Sequence, residues 1–312
     1  MKLRKKHGKM NIENNNLSNK KPSDHFAYTF VSMTTPCTLQ IYDGTEEAAK
    51  KCFLSVKKNT LALEEKYNFF NNASYLNRII NQRSSNKVKL DQQTYDVLKI
   101  VRELSLKTNG LFDITMGTLK QCYKKTSINE VKQCLASLKT ATGLDSWKLE
   151  KGYITFKNSK TLIDLGGVIK EYSVDEGARI VREHGIKSAI VNFGGDMHTI
   201  GQKSLNQGFM VAIKNPHNPK SSLVTVKLRN QALTTSANYE RNTKIEGQEF
   251  SHILSPDKQE NGIISATIIS DSTLKSGIYS TSFMIDTNIE IPEDLKVVLI
   301  DKELKLHQNI QI

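Results

Sequence analysis

A pair of glycines at the junction between a strand and a helix constrains the fold of this chain more than any other feature. The apolar run 161–165 ends at Gly166-Gly167, and a helix-like pattern with an apolar face follows over 170–184. At such a junction the first backbone N–H groups have no partner within the helix, and they lie at its positive end. The junction therefore predicts a site for a phosphate or pyrophosphate group.

A second glycine pair follows one helix later. Here the strand-like run 188–192 leads into Gly194-Gly195 and then Asp196. One glycine pair is typical of an ordinary turn, because glycine adopts backbone conformations that other residues avoid. Two pairs indicate that the backbone passes close to something in both places, and other motifs are needed to say what it is.

Length and cysteine usage bound the class of protein. A chain of 312 residues can form one large domain or two closely packed ones, with a core that needs no cross-links. The cysteines have neither a CxxC pair nor a nearby histidine cluster, so neither a zinc site nor a disulfide framework is indicated. We expect buried free thiols at Cys37, Cys52, Cys122 and Cys134.

The net charge of +12 is partly concentrated at the start of the chain, where residues 1–25 contain almost no apolar side chains. We interpret this segment as a disordered basic tail and residues 26–312 as one domain. Basic residues elsewhere are interspersed with acidic ones, and no aromatic-basic platform is present, so we expect no nucleic-acid partner. No apolar run reaches the roughly 18 residues that a transmembrane segment needs.

The first residues also bear on localisation. They lack the apolar core of a signal peptide and a lipobox-like cysteine, so we expect a cytoplasmic protein. The alternative is an exported protein whose signal is missing from this sequence.

Helical and strand-like patterns are segregated along the chain. The clearest amphipathic helix spans 91–108, a second helix fits 45–67 with Thr45 as its cap, and strands dominate from residue 208 onward. No long linker, repeat or low-complexity block marks a domain boundary. The pattern predicts one α+β unit with a helical portion and a strand-rich portion.

Four further motifs accompany the glycine pairs: GLFDITMG (110–117), TTSANYER (234–241), SHILSP (251–256) and LKSGIYSTSF (274–283). In that order and at those spacings they resemble the ApbE family of flavin transferases, over about residues 33–285. The resemblance implies the ApbE fold, in which the helical and strand-rich portions surround a flavin cleft. It also implies FAD as substrate, Mg²⁺ as cofactor, and transfer of FMN to a Thr or Ser hydroxyl of an acceptor protein with release of AMP.

The resemblance also assigns roles to individual residues. His252 would accept the proton of the acceptor hydroxyl, since imidazole accepts protons near neutral pH, and Lys170 would act at the phosphate. The residues matched to cofactor binding are Met33, Tyr67, Asp113, Thr115, Gly166, Gly167, Lys170, Asp175, Asn192, Gly194, Gly195, Asp196 and Ser236. Structural alternatives exist, such as core positions for Met33 and Tyr67 and a turn for Asp196.

The metal motif departs from the family pattern. That pattern presents an Asp and, four residues later, a Thr on one helix turn; here the Thr is Thr281, and Gly277 stands at the Asp position. The backbone carbonyl of Ile169 would be a further ligand. Glu171 stands where the family usually has Gly, and we hypothesise that its carboxylate supplies the missing charge.

The glycine at position 277 leaves two alternatives to a transferase. One is an FAD-binding protein with impaired catalysis. The other is an FAD pyrophosphatase, in which water replaces the acceptor hydroxyl and the products are FMN and AMP. A mass increase of an acceptor protein, as opposed to free FMN, separates the transferase from the pyrophosphatase.

Overall fold

The computed structural model describes six stretches of the chain. They are residues 25–125, 127–203, 207–237, 242–245, 248–251 and 261–309. Residues 1–24 of the proposed tail, and His252, lie outside the described residues. Within these stretches no helix is both long enough and apolar enough to cross a membrane.

In the described stretches the chain forms six α-helices and fifteen strands. The helices are α1 (Glu46–Tyr67), α2 (Gln92–Lys107), α3 (Gly117–Lys120), α4 (Ile128–Leu138), α5 (Gly166–Glu183) and α6 (Thr273–Ile285). The strands are β1 (Phe26–Ser32), β2 (Thr35–Ile41), β3 (Lys87–Lys89), β4 (Trp147–Glu150), β5 (Tyr153–Phe156), β6 (Ala189–Phe193), β7 (Asp196–Ile200), β8 (Phe209–Asn215), β9 (Asn218–Leu228), β10 (Ala232–Ala237), β11 (Asn242–Ile245), β12 (Gln248–Ser251), β13 (Ile263–Ser270), β14 (Lys296–Asp301) and β15 (Leu306–Gln308).

An eight-stranded antiparallel sheet forms the centre of the molecule. Its spatial order is β1-β2-β6-β7-β10-β13-β14-β15. Strands β3, β5 and β4 form a smaller sheet, and β8 with β9 and β11 with β12 form separate hairpins. The antiparallel sheets and segregated helices agree with the α+β class that the sequence predicts.

Different elements cover the two faces of the large sheet. On one face α1 and α5 pack against β2 and β6, while α6 packs against β10 and β13. On the other face Ile213 and Val226 of the β8–β9 hairpin pack against Leu233 and Ile269. Ile268 and Ile269 point to opposite faces, and both are buried. Each such buried side chain contributes about 2 kcal/mol to stability, so both layers hold the sheet in place.

The two clearest predicted helices begin where their capping residues lie. The side chain of Thr45 accepts a hydrogen bond from Ala48 N at 3.3 Å, and that of Asp91 accepts one from Thr94 N at 2.9 Å. Helix α1 then buries a stripe at helical spacing: Ala49, Cys52, Val56, Thr60, Leu63 and Tyr67. The predicted bounds agree with the structure to within one residue.

The expectation of four free thiols is wrong for two of the cysteines. Cys122 and Cys134 form a disulfide with Cα atoms 5.5 Å apart, which joins the turn after α3 to α4. Cys37 and Cys52 are free and buried, as expected. The 12-residue separation forms no recognisable motif, and only the return of α4 onto α3 brings the two sulfurs together.

We expect the disulfide between Cys122 and Cys134 to stabilise the protein by about 3 kcal/mol, because it removes loop-closure entropy from the unfolded chain. Dithiothreitol should lower the midpoint of denaturant unfolding of the wild type but not of a Cys122→Ser/Cys134→Ser variant. Alkylation of all four cysteines in the unfolded, non-reduced protein would contradict the bridge.

Candidate active site

The first glycine pair forms the exposed start of α5. Gly166 donates its backbone N–H to Asp164 Oδ1 at 2.8 Å, and both Gly166 and Gly167 are exposed. Asp164 also pairs with Lys120. Leu165, the residue before the helix, makes no side-chain cap. The positive end of α5 therefore lies at the surface, where an anionic group can reach it.

The second glycine pair closes the tight turn between β6 and β7. Gly194 and Gly195 have φ values of +65° and +105°, a region that favours glycine. Asn192 Oδ1 accepts the N–H of Gly195 at 2.9 Å, and a Cβ on Gly194 would lie 2.2 Å from Thr35 Oγ1. The turn and the close approach of β2 account for both glycines, and the turn leads directly into Asp196.

Lys170, Glu171 and Asp196 form a charged cluster between α5 and β7. Lys170 Nζ pairs with Asp196 and lies 3.6 Å from Glu171 Oε1. The two carboxylates are buried, with exposed fractions of 6% for Glu171 and 3% for Asp196. When both carboxyl groups are ionised, the cluster with its single ammonium group carries a net negative charge, which suits a cation.

The Asp196 carboxyl group of the charged cluster keeps its proton to a higher pH than an ordinary Asp does. Burial raises the pKa of Asp196 to about 7, although the nearby Lys170 ammonium lowers this pKa and the Glu171 carboxylate raises it. An ordinary Asp has a pKa of about 3.9. A cation that bound beside Asp196 would favour the ionised carboxylate, so its binding would release this proton.

The side chain of Glu171 occupies the space next to Gly277 on α6. A Cβ at position 277 would lie 2.7 Å from Glu171 Cγ and 3.4 Å from its Cδ. Glu171 Oε2 is buried and has no hydrogen-bond partner among the residues that the structure describes. A buried carboxylate oxygen without a partner is costly unless a ligand satisfies it. Glu171 therefore brings a carboxylate to the place where the sequence motif has only a glycine.

A group of hydroxyls lines α6 on the turn after Gly277. Ser236 Oγ lies 2.8 Å from Ser280 Oγ and 3.4 Å from Thr281 Oγ1, and Ser280 Oγ donates to Gly277 O at 3.0 Å. Ser236 and Thr281 are only half-buried. The carbonyl of Ile169 accepts a hydrogen bond from a side chain of its own helix. The structure thus brings Ser236 and Thr281 together.

These groups fit Mg²⁺ bound together with phosphates. Within the described stretches no three His, Cys, Asp or Glu side chains are placed to hold a metal by themselves. Magnesium sites that involve substrate phosphates, however, use only one or two carboxylates and complete the shell with phosphate oxygens and water. The unpartnered Glu171 Oε2 meets that requirement.

Asp175 lies one helix turn after Glu171 and contacts α6. Its carboxylate accepts hydrogen bonds from Ser272 Oγ at 2.8 Å, Thr273 N at 2.7 Å and Leu274 N at 3.0 Å. Burial by itself would raise the pKa of Asp175, but these bonds and the contact with His198 outweigh burial and hold the pKa below its ordinary value. Asp175 therefore caps α6, whereas the resemblance matched it to cofactor binding.

The aromatic residue matched to the flavin lies in the core. Tyr67 is 3% exposed, and its hydroxyl shares a hydrogen bond with Thr94 at 2.9 Å. Met33 lies in the turn between β1 and β2 and packs partly against the core. The exposed ring nearby is that of Phe70, with an exposed fraction of 83% and Lys120 Nζ 5.3 Å from its centroid. Phe70 was not among the residues singled out from the sequence, although a pair of aromatics in a polar turn is a visible signal.

Asp113 and Thr115 close a turn in the helical portion. Asp113 accepts hydrogen bonds from Thr115 N and Thr115 Oγ1, and both side chains accept the N–H of Gly143 at 2.9 Å. These polar groups satisfy one another within the fold. In the structure their role is to join the segment before α3 to the loop before β4.

Comparisons with known proteins agree with this architecture. The model of the ApbE family matches residues 33–296. An FAD:protein FMN transferase of Klebsiella pneumoniae (strain 342) is 22% identical over 265 residues, which cover 82% of this chain and 81% of that protein. An FAD:protein FMN transferase of Buchnera aphidicola subsp. Baizongia pistaciae (strain Bp) is 28% identical over 233 residues, which cover 69% of this chain and 68% of that protein.

Solved structures share the fold. An ApbE protein from Thermotoga maritima superposes with a TM-score of 0.79 at 20% identity, over 91% of this chain and 96% of that one. Flavin transferase ApbE from Vibrio cholerae superposes with a TM-score of 0.78 at 19% identity, over 92% of this chain and 97% of that one. These likenesses confirm the predicted α+β fold of the ApbE type.

The raised pKa of Asp196 predicts that stability falls as the pH rises. Between the unfolded pKa and the folded value of about 7 the folded state binds more protons, so the free energy of unfolding should decrease with pH. The slope is at most about 1.4 kcal/mol per pH unit. Urea unfolding of the metal-free protein from pH 5 to 8 measures it. In an Asp196→Asn variant the free energy of unfolding should depend less on pH, and an unchanged pH dependence would contradict the assignment. The control is Asp271→Asn, which changes an exposed carboxylate and should leave the pH dependence as in the wild type.

Proposed function

The chain belongs to the ApbE family, and on that premise we propose that it transfers the FMN moiety of FAD to a Thr or Ser hydroxyl of an acceptor protein. The bond between the FMN phosphorus and the oxygen that bridges to AMP breaks, and AMP leaves with the bonding electron pair. A new bond forms between that phosphorus and the acceptor oxygen. Relatives named FAD:protein FMN transferase support this reaction.

The observation that carries the proposal is the buried carboxylate of Glu171 beside Gly277. An inactive relative would have no reason to retain an unpartnered, desolvated oxygen at this place, because such a group destabilises the folded state. An enzyme that binds a cation there gains a ligand from it. Glu171 thus favours the transferase over a flavin-binding protein with impaired catalysis.

The residues of α5 would hold the pyrophosphate of FAD. The exposed positive end of the helix begins at Gly166 and Gly167, and Lys170 follows on the next turn. Their positive charge would stabilise the negative charge that grows on the leaving AMP phosphate. Lys170 pairs with Asp196, which fixes the direction of its side chain.

Glu171, the hydroxyl of Thr281 and the carbonyl of Ile169 are the residues of this chain that would hold Mg²⁺. When bound, the cation polarises the phosphorus and offsets charge on the pyrophosphate. Glu171 supplies the carboxylate, and Ser236 beside Thr281 helps to orient the hydroxyls. The rest of the coordination shell would come from phosphate oxygens and water.

The exposed ring of Phe70 would be a stacking surface for one of the two ring systems of FAD. It is fixed edge-on to Phe69 at a centroid distance of 5.6 Å, and Lys120 lies over both rings. Lys120 also pairs with Asp164, which accepts the N–H of Gly166. Phe70 is thereby connected to the phosphate end of the site through two residues, Lys120 and Asp164.

His252 remains our proposed acceptor of the proton from the acceptor hydroxyl, on the strength of the SHILSP motif alone. For localisation, the bridge between Cys122 and Cys134 supports the alternative that the protein is exported, because disulfides persist in oxidising compartments.

The first experiment is incubation of the purified chain with FAD, Mg²⁺ and an acceptor domain that bears a flavinylation threonine. We expect the acceptor to gain one FMN in intact mass spectrometry, with one AMP released for each. Free FMN with an unmodified acceptor would establish the pyrophosphatase instead. Bound FAD without any product, at every Mg²⁺ concentration, would overturn both enzymatic readings.

Exchange of the residues at positions 171 and 277 tests the cation site. Glu171→Gln should raise the Mg²⁺ concentration required for half-maximal transfer about 10-fold to 100-fold, because a ligand charge is lost. A Glu171→Gly/Gly277→Asp double variant should bring this Mg²⁺ concentration back close to the wild-type value, because it returns one carboxylate to the same space.

The matched control is Glu176→Gln, since this carboxylate is on the same helix but pairs with Arg179. It should leave the Mg²⁺ requirement unchanged. Full Mg²⁺-dependent activity in Glu171→Gln would remove Glu171 from the site.

A further inference from the structure

The carboxylate of Asp175 is fully engaged by the start of α6. Its oxygens accept from Ser272 Oγ, Thr273 N and Leu274 N at 2.7 to 3.0 Å. Ser272 is itself the N-cap of α6, because its side chain accepts from Lys275 N. Two residues therefore satisfy orphan N–H groups of this helix: Ser272, which directly precedes it, and Asp175 of α5.

His198 of β7 also contacts the carboxylate of Asp175. Its Nδ1 lies 3.0 Å from Asp175 Oδ1, and its Nε2 lies 3.0 Å from Arg182 Nη2. Guanidinium can only donate a hydrogen bond, so Nε2 accepts and Nδ1 carries the proton that it donates to Asp175. His198 is 4% exposed. The contacts on its two nitrogens thus fix both the tautomer and the direction of the ring.

The cap lies one helix turn from the candidate cation site. Asp175 follows Glu171 by four residues on α5, and Thr273 precedes Gly277 by four residues on α6. Asp175 contacts Thr273, and Glu171 packs against Gly277. The two helices therefore run antiparallel here, with the two contacts about 6 Å apart along their axes.

We propose that Asp175, His198 and Arg182 form a capping network that sets the axial position of α6, so that Gly277 stays beside Glu171 and Thr281 faces the bound phosphates. These are positioning residues: they act through α6 and do not touch the substrate. The effect on catalysis rests on the proposed function. The effect on the position of α6 is independent of the proposed function. The lowered pKa of Asp175 agrees with an ionised carboxylate that accepts hydrogen bonds from the start of α6 and from His198.

Two substitutions at position 198 separate the contacts of the ring. Asn places its amide N–H near the position of Nδ1, so His198→Asn keeps a donor for Asp175. Gln reaches toward the position of Nε2, so His198→Gln keeps the contact with Arg182 and removes the donor. Hydrogen exchange of the Thr273 and Leu274 amides should be about tenfold faster in the Gln variant, because a hydrogen bond to a buried carboxylate is lost, and close to wild type in the Asn variant.

The second measurement is the Mg²⁺ concentration at the midpoint of the rise in Tm that Mg²⁺ produces in the presence of FAD, which requires no turnover. This midpoint should rise about tenfold in His198→Gln and in Asp175→Asn, as the loss of one hydrogen bond of 1.4 kcal/mol implies. In His198→Asn, which keeps the donor, the midpoint should stay close to that of the wild type. The rate of transfer at saturating Mg²⁺ should change much less, since the chemical groups remain in place.

Equal exchange rates in the Asn and Gln variants would overturn the capping network. Faster exchange of the Thr273 and Leu274 amides without any change in the Mg²⁺ midpoint would overturn the link between the capping network and the cation site. The network would then only stabilise α6. A wild type that shows the Mg²⁺-dependent rise in Tm but transfers no FMN would refute the proposed function, and the two measurements would still decide the role of the capping network.

Discussion

The close antiparallel contact between α5 and α6 is the constraint on which the candidate site depends. Helix α5 carries the exposed glycine start, Lys170 and Glu171, whereas α6 carries the hydroxyls around Thr281. α6 is buried on nearly all sides against the sheet and the helical portion, with Phe283 fully buried. Because Gly277 has no side chain, the carboxylate of Glu171 fits between the two helices. This contact between the two helices therefore brings the phosphate end of α5 close to the hydroxyls of α6.

Sequence alone predicted the features that depend on neighbouring residues. The caps at Thr45 and Asp91 lie directly before their apolar stripes, and the glycine start of α5 follows its apolar run. In each case the local backbone needs a specific residue type, so the pattern is visible without any tertiary information. The α+β class could also be predicted from local patterns, because helical and strand-like periodicities occupy different parts of the chain.

Contacts between residues that are distant in the sequence could not be predicted from the sequence alone. Tyr67 and Phe70 are three positions apart, yet only the packing of α1 decides that the first is buried and the second is exposed. The bridge between Cys122 and Cys134 depends on how α4 returns. The match of Asp175 to cofactor binding contained no indication of α6, which follows about a hundred residues later. Periodicity and spacing do not report such contacts.

The fit of Glu171 against Gly277 also limits the order in which substitutions can accumulate at these two positions. A chain with side chains at both would place a Cβ 2.7 Å from Glu171 Cγ, which the packed helices have no room for. A chain with glycine at both would have no carboxylate there at all. Any change from one arrangement to the other therefore passes through a crowded or an uncharged intermediate.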